Sequence, residues 1–127
     1  MSTRDRYRGT GPLAAIVLDT TDPAGLADFW EQAVGWSVGS RSVDGVSLYR
    51  SGGLPPDLDL VRVPDPKTVR NRVHLDVAPW PDDDRDAKAA RLVGLGARMI
   101  DVGQGPEVTW RVLADPEGGE FCVLRPR

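Results

Sequence analysis

The chain has 127 residues, of which 40% are hydrophobic and 28% charged, and its formal net charge is -3. That length predicts one domain, burying about two thirds of its unfolded surface. The acidic balance and scattered arginines argue against a nucleic-acid partner, and no apolar run is long enough for a membrane span. One cysteine excludes an internal disulfide and predicts a reducing, cytoplasmic setting; the start of the chain lacks the apolar stretch of a signal peptide.

Residues 1–10 are polar and without periodicity, which predicts a mobile tail ahead of a single domain over 11–127. A strand pattern opens over 13–19. Asp22-Pro23 then offers a side-chain acceptor and a preset φ, the signals of a helix start. Leu26, Phe29, Trp30, Ala33 and Val34 recur on one helical face, and Gly35 ends the run. Three strand candidates follow, over 36–40, 46–50 and 58–63, punctuated by glycines and prolines. A linker over 64–71 carries Pro64-Asp65-Pro66-Lys67-Thr68.

The same order then recurs. Residues 72–78 read as a strand with His74 in its middle, and 82–95 as a helix. Ala89, Leu92, Val93 and Gly96 keep its inward spacing, and Asp82, Asp83 and Asp84 crowd its positive end. Strands over 98–102, 108–113 and 120–125 complete the unit, with Asp115-Pro116-Glu117-Gly118-Gly119 as the last turn. The expected fold is therefore α+β: two tandem βαβββ modules, over 13–63 and 72–125, whose sheets curl around a shared cleft suited to a small molecule.

Two residues in the second module carry chemistry. His74 is the sole histidine, able to ligate a metal or move a proton. Strict alternation in the last strand sets Glu120, Cys122 and Leu124 on one face, opposite Phe121 and Val123. A carboxylate facing a cavity costs free energy unless it is paired or functional. Cys122 reads as a small buried hydrophobe. Trp30 reads as core, while Trp36, Trp80 and Trp110 are candidates for the walls of a ligand pocket or for ordinary packing. Lys67, Arg70 and Arg72 fit a solvated linker or an anion-steering patch.

Three blocks carry a resemblance: Asp22-Pro23 through Phe29-Trp30 and Gly35-Trp36, Val63-Pro64-Asp65-Pro66 through His74-Leu75-Asp76, and Trp110 through Glu120 to Leu124. In these blocks the chain resembles the vicinal oxygen chelate superfamily, which includes glyoxalase I, bleomycin-resistance proteins, fosfomycin-resistance enzymes and extradiol dioxygenases. It is most similar to short glyoxalase-like proteins common in actinobacteria. The resemblance implies metal ligands on the first and last strands of each module. His74 and Glu120 match in the second. In the first, the repeat alignment sets Val17 opposite His74 and Leu58 opposite Glu120, and neither can coordinate. A slip of one residue would instead turn Asp59 inward as a third ligand, a His-Asp-Glu set suited to a hard divalent ion.

Without that slip, two ligands leave most of a coordination shell to water, so the expectation is that no metal binds tightly. Three readings stay open. One is a lyase or isomerase of glyoxalase type, in which a divalent metal polarises oxygens while His74 or Glu120 moves a proton. Another is a non-catalytic small-molecule binder. The third uses His74 and Glu120 as a metal-free acid–base pair. Exposed sheet edges, together with the resemblance, predict a homodimer.

Overall fold

The computed structural model describes residues 9–127; most of the expected tail, residues 1–8, lies outside them. The elements are β1 (Ala15–Thr20), α1 (Pro23–Val34), β2 (Ser37–Ser42), β3 (Gly45–Tyr49), a short 3-10 turn (Ser51–Gly53) and β4 (Asp57–Arg62). The second set is β5 (Leu75–Val77), α2 (Arg85–Gly94), β6 (Arg98–Met99), β7 (Arg111–Ala114) and β8 (Glu120–Val123). Each set forms its own open four-stranded mixed sheet, in the orders β1-β4-β3-β2 and β5-β8-β7-β6. First and last strands run parallel in both, and the other pairs are antiparallel. The α+β architecture of two βαβββ modules expected from the sequence is present.

Local chemistry explains the helices. Asp22 Oδ1 accepts the Gly25 N–H at 3.1 Å, Pro23 supplies the first helical φ, and Leu26, Ala27, Phe29 and Trp30 are buried. Gly35 closes α1 at φ 72°, a conformation that costs a side-chain-bearing residue but not glycine. The second helix starts three residues later than expected. Asp84, not Asp82, is its cap, accepting the Asp86 N–H at 2.9 Å, while Asp83 is held in the preceding turn by the Trp80 carbonyl. Ala89 and Leu92 are buried but Val93 is exposed. Gly96 lies beyond the helix, where the Gly96 N–H to Val93 and Ala97 N–H to Leu92 bonds form a Schellman closure.

Strands of the second sheet are shorter than their patterns suggest. Val102 N–H donates to Gln104 Oε1 and Gly103 N–H to Asp101 Oδ1. Side chains there take the amides that a longer β6 would have offered to the ladder.

One apolar cluster spans both modules. It joins Leu26, Phe29 and Trp30 of α1 and Leu58 and Leu60 of β4 to Leu92, Leu113, Phe121 and Val123. Phe29, Trp30 and Phe121 meet edge to face, with centroids 5.0–5.9 Å apart, an arrangement worth about 0.5–1.5 kcal/mol per pair beyond burial. Polar bonds add to this joint. Trp30 Nε1–H donates to Asp115 Oδ2 at 3.2 Å, and Glu117 Oε1 accepts from both the amide and the hydroxyl of Thr21, at 2.6 and 2.8 Å. No helix among the described residues is long and apolar enough to cross a membrane.

Candidate functional site

Register decides which side chains face away from the helices. Leu18 pairs with Leu60 and Leu75 with Phe121, and Leu60 and Phe121 are both buried in the core. One step back in the first sheet, Val17 pairs with Asp59; in the second sheet the ladder begins at Leu75 and Phe121, and Glu120 is the residue one step back on its last strand. Asp59, not Leu58, is thus the structural counterpart of Glu120. Leu58 is buried in the core, so the repeat alignment is one residue out. That parity flips every side chain to the other face.

Glu120 opens β8 and its side chain is 8% exposed. Oε1 accepts from Lys67 Nζ at 2.9 Å and Oε2 from the Asn71 N–H at 2.8 Å. Burial opposes its ionisation, but the Asn71 amide and the hydrogen bond and charge of Lys67 prevail, and the carboxyl is held down to about 2. Lys67 also donates to the Val69 carbonyl. The linker is therefore not simply solvated. It folds back onto the last strand through a lysine and a backbone amide.

His74 stands just before β5 rather than mid-strand, and it is exposed. Its Nε2 lies 2.9 Å from the Asn71 carbonyl, an acceptor only, so that nitrogen carries the proton and donates. The strand expected over 72–78 begins only at Leu75, and Asn71, just ahead of that range, gives its N–H to Glu120. Asn71 thus touches both candidate residues, one through its N–H and the other through its carbonyl. Asp59 is in the other sheet, where Oδ1 accepts from Ser47 Oγ at 2.7 Å.

Two cavities meet at Lys67. The larger, about 640 Å³, lies between Val17–Asp19 of β1, the linker from Val63 to Val69, Asn71 and Val73, and the turn residues Asp115, Glu117 and Gly119. The other, about 460 Å³, is bordered by Lys67, Thr68, Glu120, Arg98 and the same turn. Asp115 organises that turn. Its Oδ1 accepts the Glu117 and Gly119 amides, both at 2.9 Å, and burial pushes its carboxyl up despite these bonds and the Trp30 N–H. For Glu117 burial is outweighed by the Thr21 and Thr20 bonds, which hold it low.

The structure scatters the three candidate tryptophans. Trp36 packs against the apolar core, Trp110 is partly exposed just before β7, and Trp80, 72% exposed, borders a separate cavity of about 230 Å³ beside Lys88 and Arg91. None lines the two cavities at Lys67. Cys122 is buried, and burial first, then Asp76, pushes its thiol up. It behaves as the small hydrophobe expected. The residue missed from sequence was Asn71, and the contact missed was that of Lys67, read there only as linker or anion steering, with Glu120. The available signal was the pair Pro64 and Pro66, which stiffens the segment that delivers Lys67.

The model of the glyoxalase-like domain family matches residues 15–124. The chain belongs to that family. This glyoxalase-like domain also has the fold of solved structures. An enzyme of the glyoxalase/bleomycin resistance protein/dioxygenase family from Burkholderia phytofirmans is 18% identical at a TM-score of 0.72, covering 92% of this chain and 100% of that one. A glyoxalase-related enzyme from Fulvimarina pelagi is 20% identical at 0.67, covering 90% and 87%. A fosfomycin resistance protein from Listeria monocytogenes, solved with Mn(II) and a dihydroxypropylphosphonic acid, is 15% identical at 0.70, covering 93% and 91%. A comparison with the curated proteins finds no match.

The metal that the fold implies does not suit the donors present. Among the described residues no group of three or more His, Cys, Asp or Glu side chains is placed to hold an ion. The Lys67 ammonium already holds Glu120 Oε1 and would repel a second cation there, and Val17, which cannot coordinate, faces Asp59 in the first sheet.

Proposed function

We propose that this glyoxalase-like domain recognises a small organic molecule in the cleft between β1, the linker and the β7–β8 turn, without a resident metal. The observation that carries the reading is the Lys67 ammonium 2.9 Å from Glu120 Oε1, a positive charge in the place a metal ion would take. A neighbouring ammonium repels a metal ion, and a general base needs appreciable proton affinity near neutral pH. A carboxyl held to about 2 has little, which favours binding over acid–base catalysis by His74 and Glu120. The cleft volume lies in the range of small-molecule sites.

A metal-dependent lyase or isomerase using His74, Glu120 and Asp59 is the opposing reading, and a Mn(II) titration of the isotope-labelled protein separates the two. Under our proposal Mn(II) produces no selective paramagnetic broadening of the amides of residues 59, 71, 74 and 120. Selective broadening there would replace our reading with the metal-dependent one. A thermal-shift screen of small carbonyl, aromatic and hydroxylated compounds should yield a stabilising binder whose amide shifts map to the cleft. A screen without one would sink the proposal.

The same proposal includes a homodimer in a reducing cytoplasm. A single buried thiol suits that compartment, and the exposed Val61 and Tyr49, on the face of the first sheet turned from its helix, suit a second copy.

A further inference from the structure

The donor set at Glu120 lacks a metal's requirements, yet it contains a cation. Lys67 Nζ lies 2.9 Å from Glu120 Oε1, donates also to the Val69 carbonyl, and borders both cavities. An ammonium has three donors. The two acceptors account for two, and the side chain keeps 22% exposure for the third. Two prolines, Pro64 and Pro66, stiffen the approach to it.

We infer that Lys67 supplies, from within the chain, the positive centre that the donor set does not recruit as a metal ion, and that its ammonium anchors an oxygen of the molecule in the cleft. The inference rests on the cleft reading proposed above. Glu120 already neutralises most of the charge on Lys67, and Asp19 and Asp65 border the same cavity, so a multiply charged anion is disfavoured. Val17, Val63, Val69 and Val73 offer apolar contact. Together these select a small, largely apolar molecule ending in a carbonyl or a single carboxylate.

Benzoate and benzamide are suitable probes, titrated into the isotope-labelled full chain and followed by amide shifts of Val69, Asn71, Val73 and Gly119. Both should shift these amides. Lys67→Met should weaken both by about tenfold or more, the cost of one charge-assisted hydrogen bond, and Lys67→Arg should recover benzoate. Equal affinity in Lys67→Met overturns the role of Lys67 while leaving the cleft reading intact. Failure of both probes in the wild-type chain overturns the ligand class inferred here, whereas the cleft reading falls only if the wider screen is also blank. Should Lys67→Met not fold, Glu120→Gln decides. It frees the ammonium from its counter-charge, and benzoate should tighten by about threefold or more. Unchanged or weaker benzoate binding overturns the inference.

Discussion

Replacing Lys67 by methionine removes the ammonium from Glu120 while retaining most of the stem's volume. In the native protein burial disfavours the Glu120 charge, and Asn71 and Lys67 together more than offset it, taking the carboxyl from 4.5 to about 2. At ~1.4 kcal/mol per tenfold, that difference amounts to about 3 kcal/mol of native-state preference for the carboxylate. Asn71 carries part of it, and water reaches Lys67, so the lysine's share is about 1–2 kcal/mol. The sign follows from a depressed acid. The stabilisation is complete above about pH 4.5 and is lost as the pH falls through about 2. Urea denaturation of both proteins at pH 7, 5 and 3 measures this directly, with a carboxyl NMR titration of Glu120 alongside. The variant should be less stable by about 1–2 kcal/mol at pH 7, its Glu120 should titrate higher, and the gap should shrink at pH 3. A gap of equal size at pH 7 and pH 3 would refute the reasoning, because the lost stability would then not depend on the charge of Glu120.

Asp115→Ala strands the buried Trp30 N–H and two turn amides and should cost about 2–4 kcal/mol in a thermal or urea melt. Asp115→Asn, which keeps an oxygen acceptor, should lose less. Cys122, buried and with its thiol pushed up, should react with thiol reagents at neutral pH far more slowly in the native than in the unfolded protein; prompt labelling of the native chain would contradict its burial. If a second copy covers the first sheet, Tyr49→Asp with Val61→Asp should convert a dimer to a monomer in light scattering, without change in the melt of the monomer. A chain that is monomeric before the change removes the proposed partner.

Under the function proposed above, the Lys67 contact sets what Glu120 can do in this family member. The two Glu120 oxygens take an ammonium and a backbone amide, and the ammonium borders the cleft. His74 shares the same Asn71 peptide, so the linker, more than either strand, sets the geometry of both groups. The Asn71 N–H holds Glu120 while its carbonyl takes the His74 ring.

Short-range physics was legible in the residues themselves. The Asp22-Pro23 start and Gly35 stop of α1, the final Asp115–Gly119 turn, the βαβββ order and its repetition all follow from caps, fixed φ values and hydrophobic periods acting over a few positions. The opposed faces of Glu120 and Phe121 were equally plain, because side chains alternate along any strand. Tertiary structure alone decided the rest. Whether Leu58 or Asp59 stands opposite Val17 depends on how two distant strands slide past one another, and a single step reverses the answer. The pairing of Lys67 with Glu120 joins residues 53 positions apart, and that of Asn71 with Glu120 joins residues 49 apart. Local propensity carries no information over such separations. They are set when the two modules and their linker pack around one core.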